Sequence, residues 1–424
     1  MNSYLEAAQS FIDSMPYHEL PYNGRNWGHS WHSLCSYHGK LKPAIAHFLV
    51  SCFTRKGDVV LDPLCGVGTI PFEASMQGRI GIGNDLSELA YCVSKAKLEK
   101  PSYDEVIQEM EYLHQVIENG KLSYDGDVLP YSEFGLNHTI GEYFHRDTLV
   151  ELLLARQYFL KSFKDLSAPK AMVFAALFHV LHGNRPYSLS RTSHPLTPYA
   201  PHGEYVYKNV IDHVRDKIEL VYKETDFDSF VKGKSIYGDF SNLSGINADA
   251  IITSPPFAAS IRFYTQNWMR LWMCGWEPDD FKAASERFLD QKQNKDFDVY
   301  IPFFEMCASN LKNNGKLILH LGKTKRINMA EELSQRSRQW FEEIYRGDES
   351  VSSIEKHGIK DKGGTTEHQY LFLIKKWMLF VNIYFFRLIF LLSFSLPLTS
   401  TFRFRSLMSE AFCRPFEHMR QILF

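Results

Sequence analysis

The sequence predicts an α/β fold: a doubly wound, mostly parallel sheet with a helical segment inserted into it. Three observations predict it. Short apolar runs alternate with helical stretches from Val59 to Leu98, the pattern of strand–helix–strand units with helices on the sheet faces. The alternation breaks over residues 101–233 and resumes at Ser235. A glycine-rich turn joins the first strand to the helix after it, at the end of the sheet where such folds bind ligands.

Composition sets the outer limits. The chain has 424 residues, 45% hydrophobic and 23% charged, which excludes wholesale disorder and collagen-like architecture. At about 150 residues per domain, it holds two or three units, or one large domain with an insertion. Lys and Arg number 47 against 49 Asp and Glu, so a polyanionic partner requires a local basic surface. The cysteines are Cys35, Cys52, Cys65, Cys92, Cys274, Cys307 and Cys413, odd in number and without C-x-x-C spacing. The expectation is therefore no metal, no disulfide framework and a reducing cytoplasm. Residues 1–20 mix Glu, Asp and His with apolar residues, unlike a signal peptide.

Residues 1–56 read as helix and loop, ending in an apolar helix over Pro43–Phe53. Val59–Asp62 is a β-branched run stopped by Pro63, as a buried strand would be. A helix follows from Thr69 to a C-cap glycine at Gly78, then a strand over Arg79–Asp85 and a helix over Glu88–Leu98. The 101–233 segment carries two or three amphipathic helices, for example Asp104–Ile117 and Thr148–Leu160, and an apolar one at Lys170–His182. Further strands are expected at Ser235–Asp239, Ala248–Thr253, Lys316–Gly322 and Gln369–Ile374. With these, residues 1–376 form the main domain and residues 377–424 a hydrophobic tail. The run 377–398 is long enough to cross a bilayer, a span of about 20 residues. Arg387 lies in its middle, at a cost of ~2.5–3.5 kcal/mol. Membrane association is thus not favoured, and an appended tail is expected.

Four features carry chemistry. The first is Asp62-Pro-Leu-Cys-Gly-Val-Gly-Thr69, whose glycines let backbone approach a ligand at a helix N-terminus; a plain strand-to-helix turn is the alternative. The second is Asp85, 23 residues after Asp62, near the spacing of about 20 for an acidic ribose ligand, or a helix cap. Together they favour an adenosine-containing cofactor. The third is Gly238-Asp239, whose carboxylate could accept from an exocyclic amine of the cofactor's adenine or serve a turn. The fourth is Ser254-Pro255-Pro256-Phe257 after an apolar strand. Two prolines fix φ and remove two donors, leaving rigid carbonyl acceptors beside an aromatic ring. That suits a planar base bearing an amino group.

The glycine turn together with Thr253-Ser-Pro-Pro-Phe257 resembles the amino-group DNA methyltransferases. Tyr37-His-Gly-Lys-Leu-Lys-Pro43 resembles their upstream cofactor motif, Leu311–Leu321 their fifth strand and Glu367–Ile374 their closing strand. The resemblance covers about residues 30–100 and 235–375. It implies a Rossmann-like methyltransferase sheet and S-adenosylmethionine as cofactor. The implied cofactor contacts are Tyr37, Lys40, Asp62, Pro63, Cys65, Gly66, Gly68, Thr69, Asp85 and Asp239. Ser254, Pro255, Pro256 and Phe257 are the implied catalytic residues. Serine before Pro-Pro favours N4 of cytosine over N6 of adenine. The implied partner is double-stranded DNA with its target base flipped out, in a restriction–modification setting with a cognate restriction enzyme. An RNA base methyltransferase is the alternative, followed by an inactive nucleic-acid-binding protein of the same fold.

Groups for holding nucleic acid are sought near these motifs. Asn184–Pro195 carries Arg185 and Arg191 without an acid, and either an ordinary loop or phosphate contacts fit. Arg262 and Tyr264 follow the Pro-Pro turn and are candidates for the flipped nucleotide or backbone. Trp268, Trp272 and Trp276 recur every fourth residue, which points to a core-facing stripe. Lys323-Thr-Lys-Arg326 is a further candidate phosphate contact.

Overall fold

The computed structural model describes residues 2–24, 27–37, 39–123, 127–194, 199–258, 262–351 and 365–376. Among them, seven strands form one sheet: β1 (Val59–Asp62), β2 (Ile80–Asp85), β3 (Lys234–Tyr237), β4 (Ala248–Thr253), β5 (Leu311–Thr324), β6 (Phe341–Ser350) and β7 (Thr365–Lys375). Their order is β3-β2-β1-β4-β5-β7-β6. β1 pairs parallel with β2 and β4, and β4 pairs parallel with β5. β7 is antiparallel to both its neighbours. The sequence direction reverses between β1 and β4, the switch point at which doubly wound sheets bind ligands.

Side-chain alternation explains the layers. Val60, Ile252, Ile318 and Phe372 point to one face and join a core with helices α1 (Asn2–Ser14) and α2 (Pro43–Phe53). Leu61, Ile251, Leu317 and Leu371 point to the other, as the period of two requires. The helices α3 (Thr69–Met76) and α4 (Glu88–Glu99) follow β1 and β2.

Between α4 and β3 lie α5 (Tyr103–Asn119), α6 (Ile140–Tyr143), α7 (Arg146–Ser162), α8 (Ala168–Val180) and α9 (Val210–Tyr222). Ser102 and Glu105 form a capping box that starts α5. α8 is buried from Ala171 to Phe178, so it is a central helix with no solvent face. Its Phe174 shares one core with Leu89 and Val93 of α4 and Phe72 of α3. Trp268, Trp272 and Trp276 are buried in the same core, so the expected stripe is a packing feature.

The connection from β4 to β5 holds α10 (Phe263–Gln266), α11 (Trp268–Met273), α12 (Pro278–Arg287), α13 (Leu289–Lys292) and α14 (Ile301–Asn310), while α15 (Met329–Ser337) links β5 to β6. α14 and α15 cover the second sheet face through Phe304 and Leu333. Some expectations are corrected. β6 was not anticipated, β5 extends beyond Lys316–Gly322 at both ends, and α9 is a third amphipathic helix of the 101–233 segment, whose bounds had not been given. Among the described residues, no helix is long and apolar enough to cross a membrane. The tail, with its run 377–398, lies outside the described residues.

Candidate active site

The glycine turn is built from both sides. Gly66 and Gly68 have φ of 50° and 70°, a region that only glycine enters cheaply. A Cβ on Gly68 would meet Ser94 Cβ at 2.9 Å, so this residue serves close packing against α4. The Gly66 N–H donates to Asp85 Oδ2 at 2.8 Å, and Ser87 N–H donates to Asp85 Oδ1 at 2.9 Å. Asp85 therefore ties the turn to the start of α4. From α4, the buried Lys97 donates to Val67 O at 2.7 Å. Burial lowers its pKa to about 7, with Lys40 adding repulsion.

Opposite lies the turn after β4. Ser254 Oγ is 2.9 Å from Nδ1 of His320 on β5. Gln293 Nε2 donates to Pro256 O at 2.9 Å and is itself held by the Tyr300 hydroxyl. Phe257 stands over Gly322, with ring centroids 5.4 Å from His320 and 5.6 Å from His368.

The two turns open onto one cavity of about 830 Å³, large enough for a nucleoside cofactor and more. Asp62, Pro63, Cys65, Gly66 and Thr69 form its wall at the end of β1. Asp85 and Asp239 flank them, with Tyr37 and Lys40 above the turn. Ser254, Pro255, Pro256 and Phe257 close the far side. Burial raises the pKa of Asp62 to about 7 and that of Asp85 to about 6. Asp239 also accepts from Ser241 N–H at 2.9 Å, so its turn role is present.

Other sequence candidates stand elsewhere. Gly68 lies behind the wall and does not line the cavity. Arg185 is exposed outside it. Arg191 donates to Gly203 O and Glu142 O and stacks over Tyr205, so its guanidinium braces its own loop and ties it to α6. Arg262 and Tyr264 are also outside the wall, which takes Phe263 and Gln266 from the same stretch instead. Lys323 pairs with Glu367 at 2.7 Å.

The cavity also contains residues the sequence reading did not single out: His320, His368, Glu349, Tyr17, His18 and Asp290. A signal existed for one of them. His320 interrupts the apolar run Leu317–Leu321, and a polar residue inside a buried strand needs a partner. Among the described residues, no cluster of His, Cys, Asp and Glu could hold a metal ion.

Residues 31–121 match the sequence model of a family described as UPF0020, RMKL-like methyltransferase domain. No curated protein matches the chain in sequence. Among solved structures, TrmN from Thermus thermophilus aligns at 13% identity and a TM-score of 0.29, over 80% of this chain and 50% of that one. The chain thus spans half of TrmN. A TehB-like SAM-dependent methyltransferase from Corynebacterium glutamicum aligns at 10% identity and a TM-score of 0.30, over 87% and 99% of the two chains. A methyltransferase from Pyrococcus furiosus gives 10% identity, a TM-score of 0.31 and coverage of 87% and 97%.

Residues 31–121 carry the sequence pattern of a methyltransferase domain, and the cofactor such a domain implies is S-adenosylmethionine. The cavity fits that group. The side-chain-free surface of Gly66 lies in the wall, and two carboxylates, Asp62 and Asp85, stand beside it as acceptors for hydroxyl and amino groups.

Proposed function

We propose that the chain methylates an exocyclic amino group of a DNA base, cytosine N4 before adenine N6. The observation that carries this reading is that Ser254–Phe257 faces the same cavity as the glycine turn and Asp85. When bound, S-adenosylmethionine supplies a methyl group whose bond to sulfur breaks with both electrons passing to the sulfonium. The chain's own residues bind and orient. Asp85 accepts from the ribose hydroxyls and Asp239 from the adenine amine, while Tyr37 and Lys40 cover the turn.

On the far side, Ser254 Oγ and the Pro255 carbonyl accept from the target N–H₂. The amino lone pair is delocalised into the base, so holding both hydrogens out of plane makes the nitrogen more nucleophilic. Phe257 stacks on the base, worth ~1–3 kcal/mol. Positioning is the main contribution. In a duplex the base is flipped out, at a cost of a few kcal/mol. The inserted segment 101–233 chooses the target, with Arg185 available to phosphate. A cytoplasmic setting with a partner restriction enzyme belongs to this reading.

RNA is the second reading, because the glycine turn, within the segment matched by the family model, is of a kind that RNA-modifying enzymes share. Incubation with labelled S-adenosylmethionine and either genomic DNA or total RNA, followed by nucleoside analysis, decides. N4-methylcytosine in DNA is expected. Label in RNA alone establishes the second reading, and cofactor binding without any transfer leaves a nucleic-acid-binding protein.

A further inference from the structure

We propose that His368 takes up the proton released by the methylated amino group, with Glu349 as the carboxylate that orients it. The inference rests on the amino-group reading above. When the nitrogen gains its methyl group it carries a positive charge and one proton too many. That proton passes to His368, and the electron pair of the broken N–H bond stays on nitrogen.

The sheet lines up the parts. Gly322 of β5 is paired with His368 of β7, and His368 with Glu349 of β6. Phe257 occupies the space above Gly322, since a Cβ there would come within 2.6 Å of its ring. The base-stacking ring, the imidazole and the carboxylate thus form one row across three strands.

His368 is 24% exposed and lines the cavity, while Glu349 is 6% exposed behind it. The His368 Nδ1 is buried, 3.7 Å from Glu349 Oε2, and has no hydrogen bond among the described residues. Such contacts shorten when substrate binds. Glu349 is held from three more directions. Tyr17 donates to Oε2 at 2.8 Å, His18 Nε2 lies 2.6 Å from Oε1, and Tyr370 lies 3.4 Å from Oε2. Burial raises the Glu349 pKa, but His368, Tyr17 and His18 outweigh it and bring it to about 2. A permanent carboxylate behind an imidazole fixes its tautomer and stabilises its protonated form.

His320 is the neighbouring histidine but a different kind of residue. Its Nδ1 is committed to Ser254, and burial together with His368 holds its pKa well below the ordinary value. It is a positioning residue for Ser254. The groups facing His368 are thus His320 on β5, Glu349 on β6, Tyr370 on β7, and Tyr17 and His18 through Glu349. One register step away, Lys323 and Glu367 neutralise each other at 2.7 Å.

The test uses the full chain with ring-labelled histidines and single-turnover transfer to DNA across pH. H368Q identifies the His368 resonance. The same resonance is followed in E349Q, where loss of the carboxylate charge is expected to weaken proton binding to the ring. Wild-type transfer is expected to fall with pH on the acid side of this titration. H368Q is expected to lose this limb and about 100-fold in rate while its S-adenosylmethionine affinity stays unchanged. E349Q should move the limb to lower pH by the shift seen in the titration. Thermal melting reports folding, and if one variant does not fold the other decides. Wild-type rate and pH profile in H368Q, or an unshifted limb in E349Q, overturn the assignment alone. Absence of transfer by the wild-type chain to DNA and RNA alike overturns the amino-group reading, and this inference with it.

Discussion

Replacing Gly322 by Ala tests the base pocket without touching any polar group. Gly322 is not among the residues of positive φ, so alanine suits its backbone. The new Cβ would lie 2.6, 2.7 and 3.1 Å from Cδ2, Cγ and Cβ of Phe257. Ordinary carbon contacts need about 3.5–4.0 Å, so the ring must shift by close to an ångström. Overpacking of this kind costs about 1–3 kcal/mol, and a displaced ring forfeits much of the ~1–3 kcal/mol of base stacking. Each 1.36 kcal/mol of lost transition-state stabilisation is about tenfold in rate, so single-turnover transfer should fall about five- to a hundredfold. Cofactor affinity by calorimetry should stay at the wild-type value, because Asp85 and the glycine turn lie across the cavity. Unchanged transfer in a folded G322A chain would refute the role given to Phe257. An equal loss in cofactor affinity would place the ring against the cofactor instead.

Three other outcomes follow from the site. Asp85, its pKa raised to about 6 by burial, must be ionised to accept from ribose, so cofactor affinity should fall as pH drops through 6; D85N should bind about ten- to a hundredfold more weakly at pH 8 and lack that fall when titrated calorimetrically. Lys97→Met strands the Val67 carbonyl and should cost about 1–3 kcal/mol in denaturant unfolding. Because the Lys97 pKa drops from 10.5 to about 7 on folding, the unfolded chain binds more protons in that window, so wild-type stability declines as pH falls from 10.5 to 7 and K97M should lack this slope. A chain ending at Lys376 should keep full transfer, since β7 already completes the sheet at Lys375; loss of activity in a folded truncated chain would show that the tail belongs to the catalytic unit.

The central strands were legible because burial on both faces writes a continuous apolar run. Val59–Asp62 and Ala248–Thr253 emerge with the bounds read from sequence. β6 escaped because Phe-Glu-Glu-Ile-Tyr-Arg-Gly-Asp-Glu-Ser lies at the sheet edge, where polar side chains face water and the run never forms. The cavity wall follows the motifs because glycine and proline report backbone shape locally. Lys97, Glu349 and His368 could not be found that way. Their significance depends on partners 30 residues away for Lys97 and Val67, and 331 for His18 and Glu349. Arg191 is a further case: a guanidinium in an acid-free loop suggested phosphate, yet the carbonyls of Gly203 and Glu142, 12 and 49 residues away, claim it.

The shared core of α8 with α3 and α4 bears on how new specificities could arise. Phe174, Leu89 and Phe72 interlock in one cluster, and α4 also sends Lys97 to the glycine turn. The 101–233 segment is therefore no cassette. A chimera that exchanged it whole would expose the flank of α4 and loosen the cofactor turn, so it should lose methyl-donor affinity before it gained any new target. On the proposed reading, diversification would be confined to what leaves α8 untouched, such as the stretch around the exposed Arg185 and Tyr187. Target choice in this architecture would drift by single substitutions rather than jump by recombination.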